Sequence, residues 1–332
     1  MTNTLIFTKG GGRLGNQLVN YANLYAFQCE NPEFNVFDLA FVPFIEDYSR
    51  PDLDLLNKSS ALDDIWHPLI RLFWDDGILI STIPDRIIHP FRLRLVHGMA
   101  VHRREAQSIV AGNPHISCKI PGVHCDGLDL TDPEDIAQIQ SKSVSVVAGW
   151  NVRAWPLVEQ YRDEIRHQLR PGPERTNSVM DYIESLRDKY DLLVGLHIRQ
   201  SDYREWHDGE FYYTAREYWD MAEAFAERSS AESMAFLIAS DETHDNSIFD
   251  HDKYHMGLGD QDRVNHYVED FVKLSHCDIV LAPPSTFSAF AAFLGDLPLV
   301  PLYEGVTNDG FQKLERPLLD SIDHPVMSSA IR

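Results

Sequence analysis

The sequence predicts an α/β protein of two domains, and three observations lead to this fold class. The N-terminal segment reads as a strand, a glycine-rich turn, a helix and a second strand. The second half alternates apolar strands with helices, which is typical of a parallel sheet covered on both faces. Between them, Arg170-Pro171-Gly172-Pro173 cannot continue a helix. We therefore expect one domain over residues 1–170 and a second over residues 171–332.

The opening segment allows two interpretations. Its predicted elements are a strand over 4–8, a helix over 16–28 and a strand over 34–37. Gly10, Gly12 and Gly15 satisfy the spacing G-x-G-x-x-G, and Asp38 lies about where a ribose-binding acid follows such a turn. An NAD(P)-dependent oxidoreductase that uses the Gly10–Gly15 turn is therefore one alternative. A tight strand-to-helix turn in any α/β domain would give the same pattern.

The end of the first domain is predicted from two further patterns. Residues 143–148 form a run of β-branched residues, which indicates a strand. Residues 155–169 place Leu157, Tyr161 and Ile165 on one face, which predicts a single amphipathic helix that runs up to the domain boundary.

In the second domain, polar side chains follow three of the predicted strands. The predicted strands cover 192–198, 234–239, 278–282 and 297–302, and the predicted helices cover 178–190, 213–229, 265–274 and 287–294. The candidate site residues follow the first three strands in chain order: His197, Arg199 and Asp202; then Asp241; then Ser285, Thr286 and Ser288. Because ligands bind outside the carboxyl ends of strands in an open parallel sheet, we expect these groups to converge at one edge.

The chemistry of these groups indicates a diphosphate site. Arg199 is always charged, and its planar guanidinium matches the geometry of a phosphate or carboxylate. The serine and threonine hydroxyls lie where a strand turns into a helix, and the backbone N–H groups of a helix start attract anions. Asp241 can accept hydrogen bonds from a base or a ribose. Alternatively, Ser285 is an ordinary helix cap, Asp241 a turn residue and His197 a histidine of the core.

The composition of the chain limits the kinds of partner that it can bind. The chain of 332 residues carries 51 acidic and 29 basic residues, a formal net charge of −22. Such a surface repels phosphate backbones, so we expect no binding to nucleic acid. The four cysteines lack zinc-like spacing, no stretch is long and apolar enough to span a membrane, and the N-terminus lacks the pattern of a signal peptide. We expect no metal, no cofactor and a cytoplasmic location, and association with the inner face of a membrane is left open.

Three motifs resemble those of a known family. They are Gly12-Arg13-Leu14-Gly15-Asn16-Gln17, His197-x-Arg199-x-x-Asp202-Tyr203 and Ser285-x-Phe287-Ser288. In order and spacing they are similar to those of the α-1,2-fucosyltransferases and, more distantly, of the α-1,6- and protein O-fucosyltransferases. The resemblance covers most of the chain but is thin between residues 40 and 140. Gln200 and Ser201 replace the arginine and glycine usual in the second motif, which leaves the linkage open.

The resemblance implies a GT-B architecture, in which two Rossmann-like domains face each other across a cleft. It implies an N-terminal domain on the acceptor side, a C-terminal domain on the donor side, and inverting transfer of fucose from GDP-fucose to a hydroxyl of a glycan without a metal. The oligomeric state stays open. A sugar-binding protein without transferase activity is a further alternative.

The resemblance also implies roles for individual residues. Arg199 would bind the β-phosphate and stabilise the leaving GDP, and His197 would help to position the nucleotide. Asp241 would lie near the guanine or ribose, and Ser288 near the phosphates.

The resemblance implies one further role. Asn16, in the Gly15-Asn16-Gln17 element, would reach toward the donor sugar or the acceptor. The chemistry of the reaction, rather than the resemblance, suggests the role of Asp202: its carboxylate would take the proton of the acceptor or, alternatively, hold Arg199 in place.

Overall fold

A computed structural model describes most of the chain as two compact units. The described residues are 3–9, 12–41, 44, 47–48, 106–111, 127–149, 151–242, 246–257 and 266–331. Contacts divide the chain into the units Met1–Leu169 and Arg170–Arg332. Within the described part of the chain, no helix has both the length and the apolar character that crossing a membrane requires.

The N-terminal unit is a parallel sheet with helices. Its elements are β1 (Asn3–Lys9), α1 (Leu14–Glu30), β2 (Phe34–Asp38), β3 (Ala106–Ala111), β4 (Leu128–Asp129), α2 (Pro133–Gln140), β5 (Val144–Gly149), β6 (Val152–Arg153), α3 (Trp155–Gln160) and α4 (Arg162–Gln168). Four strands pair in the order β2-β1-β5-β3, and all of these pairs are parallel. The short strands β4 and β6 form a separate parallel pair. The predicted opening of strand, helix and strand is confirmed.

Helix α1 is buried along almost its whole length, so its polar side chains must find partners inside the protein. The Gln28 amide donates to the carbonyl of Phe34 at 2.8 Å and accepts from the N–H of Val36 at 2.9 Å. Asn23 accepts from the N–H of Ala154 at 2.6 Å. These side chains connect the helix to β2 on one side and to the start of α3 on the other.

The helix predicted over residues 155–169 is wrong in one respect. The chain forms two helices, α3 and α4, that are separated at Tyr161, where φ is −105° and ψ is 25°. The hydroxyl of Tyr161 donates to Glu30 at the end of α1, at 2.7 Å. The apolar spacing continues through this residue, so periodicity does not detect a break of a single residue.

The C-terminal unit is built around a five-stranded parallel sheet. Its elements are α5 (Pro173–Arg187), β7 (Leu192–Ile198), α6 (Ala215–Arg228), β8 (Met234–Ser240), β9 (Tyr254–His255), α7 (Tyr267–Ser275), β10 (Ile279–Ala282), α8 (Thr286–Gly295), β11 (Leu299–Pro301), α9 (Val306–Asp309), α10 (Leu319–Asp323) and α11 (Ser328–Ile331). The four strands and four helices predicted here are confirmed to within a few residues. A predicted helix position at residue 265 lies outside the described residues.

The strand order of this sheet is β11-β10-β7-β8-β9, and every pair is parallel. From the central strand β7, the chain first adds β8 and β9 on one side and then β10 and β11 on the other. The connections that follow β7 and β10 therefore leave in opposite directions from neighbouring strands. Such a switch point opens a crevice at the carboxyl ends of the strands, where open α/β sheets bind ligands.

The core of this unit holds β7 rigidly. Val194, Leu196 and Ile198 are fully buried and pack in one cluster with Tyr218 of α6 and Phe236 of β8. At Gly195, an added Cβ would lie 2.8 Å from a methyl carbon of Leu274 in α7. The absence of a side chain at Gly195 thus lets α7 pack closely against the strand whose end carries the candidate site.

Candidate active site

Arg199 follows directly after β7 and is fixed through its backbone. Its N–H donates to the hydroxyl oxygen of Tyr218 at 3.2 Å, and its carbonyl accepts from the same hydroxyl at 3.3 Å. Tyr218 lies in α6 and is itself fully buried. The strand and the helix together therefore set the position from which the Arg199 side chain extends.

The guanidinium of Arg199 lies between two carboxylates. Its Nη1 is 2.6 Å from Oδ2 of Asp241, and its Nη2 is 2.6 Å from Oδ1 of Asp202. The side chains of Arg199 and Asp241 are 14% and 12% exposed, whereas that of Asp202 is 54% exposed. The pair with Asp241 is thus mostly excluded from water, and the pair with Asp202 faces solvent.

Asp241 is held by more than its ion pair. Its Oδ1 accepts from the N–H of Gln200 at 2.9 Å, and its Oδ2 accepts from the hydroxyl of Ser201. Burial alone would raise the pKa of Asp241, but the charge of Arg199 and these hydrogen bonds outweigh it and lower the pKa below its ordinary value. Asp241 is therefore ionised at neutral pH and balances Arg199.

Gln200 is one of the two residues that depart from the motif described above. Its side chain and its backbone make contacts in different places. It is buried, and its Nε2 donates to the carbonyl of Tyr213 at 2.7 Å. The side chain at this position therefore ties the loop after β7 to the segment that precedes α6. Its backbone N–H, in contrast, takes part in the site through Asp241.

His197 lies one residue before the end of β7 and is packed in the core. It is 4% exposed, and its ring centroid is 5.3 Å from that of Phe287 in α8. Its Nδ1 is buried and has no hydrogen-bond partner among the residues that the structure describes. Burial, together with the charge of Arg199, lowers the pKa of His197 to about 3. The imidazole is therefore neutral at physiological pH, and its predicted contact with a nucleotide stays a prediction.

The start of α8 lies at the carboxyl end of β10, beside β7. Ser285 is the N-cap, and its hydroxyl oxygen accepts from the N–H of Phe287 at 3.3 Å. Ser288 is fully buried, and its hydroxyl donates to the carbonyl of Ser285 at 3.3 Å. Two of the three predicted hydroxyls thus bond to the backbone of their own helix, and Thr286 is half-buried at its first position.

Tyr203 connects the loop after β7 with the start of α8. Its hydroxyl donates to the carbonyl of Pro284, the residue before the N-cap. Its ring centroid lies 5.4 Å from the guanidinium carbon of Arg199. The motif in the sequence includes this tyrosine, but the sequence alone assigned it no role. A tyrosine four positions after the predicted anion-binding Arg199 is the signal that could have pointed to it.

The remaining predicted site residues lie in the N-terminal unit. Gly12 has φ of 74°, and a Cβ at this position would lie 1.8 Å from Nδ2 of Asn16. The backbone N–H of Asn16 donates to the carbonyl of Arg13 at 3.1 Å, and Gly15 is buried in the first turn of α1. The glycine at position 12 is therefore required both by the backbone angle and by the amide of Asn16.

The structure argues against the dinucleotide alternative. Asp38, which that alternative places at a ribose, is fully buried, and its Oδ1 accepts from the N–H groups of Ala40 and Phe41 at 3.0 and 3.2 Å. Burial raises the pKa of Asp38 to about 8. A carboxyl group in this environment does not reach a ligand. Gly10, the first glycine of the fingerprint, lies outside the described residues.

Comparison with known proteins identifies the fold. No protein-family model and no curated protein matches the sequence significantly. Among solved structures, a variant of FUT1 from Arabidopsis thaliana in complex with GDP is 13% identical with a TM-score of 0.53, and the match covers 94% of this chain and 74% of that one.

Two structures of POFUT1 are also similar to this chain. The apo form has 12% identity and a TM-score of 0.51, and a complex with GDP-fucose has 12% identity and a TM-score of 0.50. Each match covers 89% of this chain and 95% of the other. FUT1 and POFUT1 are fucosyltransferases with the GT-B fold, so the predicted fold class is confirmed.

The ion pair between Asp241 and Arg199 predicts a specific dependence of stability on pH. Because the folded-state pKa of Asp241 is lowered, its contribution is present above the unfolded pKa, about 4, and disappears as pH falls through the folded value. We expect Asp241→Asn to lower the free energy of unfolding of the C-terminal unit by about 1 to 3 kcal/mol at pH 7. The difference from the wild type should shrink at pH 3. Urea denaturation at the two pH values measures both quantities.

Asp220→Asn is the matched control, because Asp220 pairs with Arg216 on the surface of α6 at 3.2 Å with both side chains more than half exposed. Exposed pairs of this kind contribute little, so this variant should unfold like the wild type at both pH values. Equal stability of Asp241→Asn and the wild type at pH 7 would contradict the role of the buried pair.

Proposed function

We propose that the chain is an inverting glycosyltransferase that transfers fucose from GDP-fucose to a hydroxyl group of a glycan. The fold it shares with FUT1 and POFUT1, which have been solved with GDP and GDP-fucose, supports this function. The observation that carries the proposal is the placement of Arg199. It lies at the carboxyl end of the central strand, at the switch point of the sheet and beside the start of α8.

The proposed donor site belongs to the C-terminal unit. Arg199 supplies a fixed positive charge, and the first turn of α8 supplies backbone N–H groups and the positive end of the helix dipole. Both features favour the diphosphate of a nucleotide sugar. We assign the acceptor side to the N-terminal unit and propose Asn16, for whose amide the missing side chain of Gly12 leaves room, as its contribution to the reaction.

The charges of the site determine how a diphosphate could bind. Arg199 already faces two carboxylates, so an incoming diphosphate would meet a local excess of negative charge. Asp241 is mostly buried and held by Gln200 and Ser201, whereas Asp202 is half exposed. Asp202 is the partner that can leave at lower cost. We therefore propose that the diphosphate replaces Asp202 at Nη2 of Arg199 and that Asp241 keeps its place.

This exchange gives Asp202 two successive roles. In the free protein it holds Arg199, and after donor binding its carboxylate is available to the acceptor. The acceptor oxygen then attacks C1 of fucose from the side opposite the diphosphate and passes its proton to Asp202. The bond between C1 and the phosphate oxygen breaks, and its electron pair leaves with GDP. Arg199 stabilises the charge that grows on the β-phosphate, and no metal or cofactor is required.

The linkage is a finer part of the proposal. The sequence resemblance favours an α-1,2 linkage, although Gln200 and Ser201 depart from that motif. An array of acceptor glycans, followed by linkage analysis of any fucosylated product, identifies both the acceptor and the bond that is formed.

Replacing Arg199 tests the proposed function. We expect Arg199→Ala to lower the rate of GDP release from GDP-fucose in the presence of acceptor on the order of a hundredfold or more, because a fixed charge at the leaving group is lost. Arg216→Ala, an exposed arginine of α6, is the control and should keep the wild-type rate. Near-normal turnover of Arg199→Ala would remove Arg199 from the mechanism. A wild-type protein that does not bind GDP-fucose would overturn the proposed function itself.

Replacing Asp202 tests the proposed exchange. Asp202→Asn keeps the size of the side chain but removes the charge that competes with the diphosphate. We expect GDP to bind several-fold more tightly, whereas transfer to an acceptor falls about a hundredfold because the base is lost. Calorimetry measures the first quantity and a coupled assay of GDP release the second.

Asp208→Asn is the control for this pair of measurements, because Asp208 is exposed in the same loop and asparagine also tolerates its φ of 55°. Unchanged GDP affinity in Asp202→Asn would contradict the exchange. Unchanged transfer would exclude Asp202 as the base.

A further inference from the structure

The side chain of Tyr203 joins the loop after β7 to the start of α8. We infer that Tyr203 is a positioning residue, which fixes the Arg199 guanidinium relative to the first turn of α8. This inference rests on the proposed function, since it concerns how two parts of the donor site are held in register.

The hydroxyl of Tyr203 provides the connection to α8. The side chain is 6% exposed, and its hydroxyl donates to the carbonyl of Pro284 and interacts with the side chain of Ser285. Ser285 caps the helix. The hydroxyl therefore contacts the two residues that set where the first turn of the helix begins. Burial raises the pKa of Tyr203 above its ordinary value, so the group stays a protonated donor.

The ring of Tyr203 provides the connection to Arg199. At 5.4 Å from the ring centroid, the guanidinium carbon is within the range of a cation–π contact. The two carboxylates bind the Nη1 and Nη2 nitrogens of the guanidinium, and the ring is its third contact. If the diphosphate replaces Asp202, only Asp241 and the ring of Tyr203 remain of these three contacts. The ring then matters more in the donor complex than in the free protein.

Further aromatic side chains support the ring from the loop that follows. The ring centroid of Trp206 is 4.7 Å from that of Tyr203, and Phe211 is 5.4 Å from Trp206. Between them the chain reverses through three consecutive residues with positive φ: His207 at 49°, Asp208 at 55° and Gly209 at 80°. Such angles are costly for residues other than glycine and persist where surrounding contacts determine them. Here the reversal returns Phe211 to Trp206.

This arrangement has a consequence for catalysis. Stabilisation of a leaving group depends on its donors being held at the position where the charge develops, and a displacement of about 1 Å can cost a hundredfold in rate. Loss of the Tyr203 hydroxyl leaves its ring in place but uncouples the two loops. The turnover number should therefore fall more than the Michaelis constant for the donor changes.

Tyr203→Phe tests the inference, with Tyr190→Phe as a matched control. The hydroxyl of Tyr190 also donates to a backbone carbonyl, that of Asp252 at 3.0 Å, in the same unit. We expect Tyr203→Phe to lower kcat about tenfold while KM for GDP-fucose stays within about twofold, and Tyr190→Phe to leave both unchanged. If both variants keep the wild-type kcat and differ only in melting temperature, Tyr203 is structural and the inference is overturned.

A second readout separates this inference from the proposed function. In the donor-free protein, Tyr203→Phe should accelerate hydrogen exchange of the Phe287 amide about tenfold, and Tyr190→Phe should not, because the tether concerns the first turn of α8 whatever its ligand. If Tyr203→Phe shows this faster exchange but the wild-type protein does not use GDP-fucose, only the proposed function is refuted.

If Tyr203→Phe leaves hydrogen exchange of the Phe287 amide unchanged and the wild-type enzyme is active, the inference is overturned. If Tyr203→Phe does not fold, Phe211→Leu serves as the second variant, since it loosens the support of Trp206 without touching Arg199. It should lower kcat in the same direction, and an unchanged kcat would likewise overturn the inference.

Discussion

The C-terminal unit depends on one constraint, the charge of Arg199 at the end of a buried strand. A guanidinium that is mostly excluded from water needs an opposite charge, and Asp241 supplies it from the end of the neighbouring strand. Packing determines the order of the strands. This order places β8 beside β7 and so brings Arg199 and Asp241 together. The backbone of Arg199 is fixed by Tyr218, and its guanidinium lies within cation–π range of the ring of Tyr203. The position of Arg199 is therefore set by contacts within the protein itself.

The same arrangement sets a cost for binding. In the proposed donor site, Arg199 gives up one of its carboxylates to receive a diphosphate, and we infer from the unequal exposure of Asp202 and Asp241 that Asp202 is the one replaced. The exposed pair contributes little to stability, so its loss costs little. The buried pair of Arg199 and Asp241 keeps the guanidinium in its position. In this proposal Asp241 keeps Arg199 in position, and Asp202 leaves so that Arg199 can bind the diphosphate.

Much of the fold could be predicted from the sequence because its elements are long and strongly patterned. The apolar runs at β7 and β8 and the amphipathic helix α6 fall where periodicity places them. The convergence of Arg199 and Asp241 follows from the rule that parallel strands end at one edge. In contrast, the break at Tyr161 interrupts no apolar pattern, so the sequence carried no signal for it.

The details of the site could not be predicted, because they depend on the direction in which side chains point. Ser288 fits a phosphate-binding motif by spacing, but in the structure its hydroxyl faces its own helix. Asp38 fits a ribose-binding position by spacing, but its carboxyl is buried. The hydroxyls of Tyr203 and Tyr218 bond to backbone atoms, and the sequence does not show which backbone atom a tyrosine hydroxyl reaches. Spacing thus predicted where the candidate site lies, whereas packing determines which of its side chains are available to a ligand.

The central claim is that Arg199 recognises the β-phosphate of a guanine nucleotide. Calorimetric titration of GDP and GMP against the wild type and Arg199→Ala tests it most directly, because the two ligands differ only in that phosphate. A charged hydrogen bond of about 1.5 to 3 kcal/mol predicts that the wild type binds GDP about 10 to 150 times more tightly than GMP, and that this preference largely disappears in the variant. The same preference for GDP in both proteins would contradict the claim.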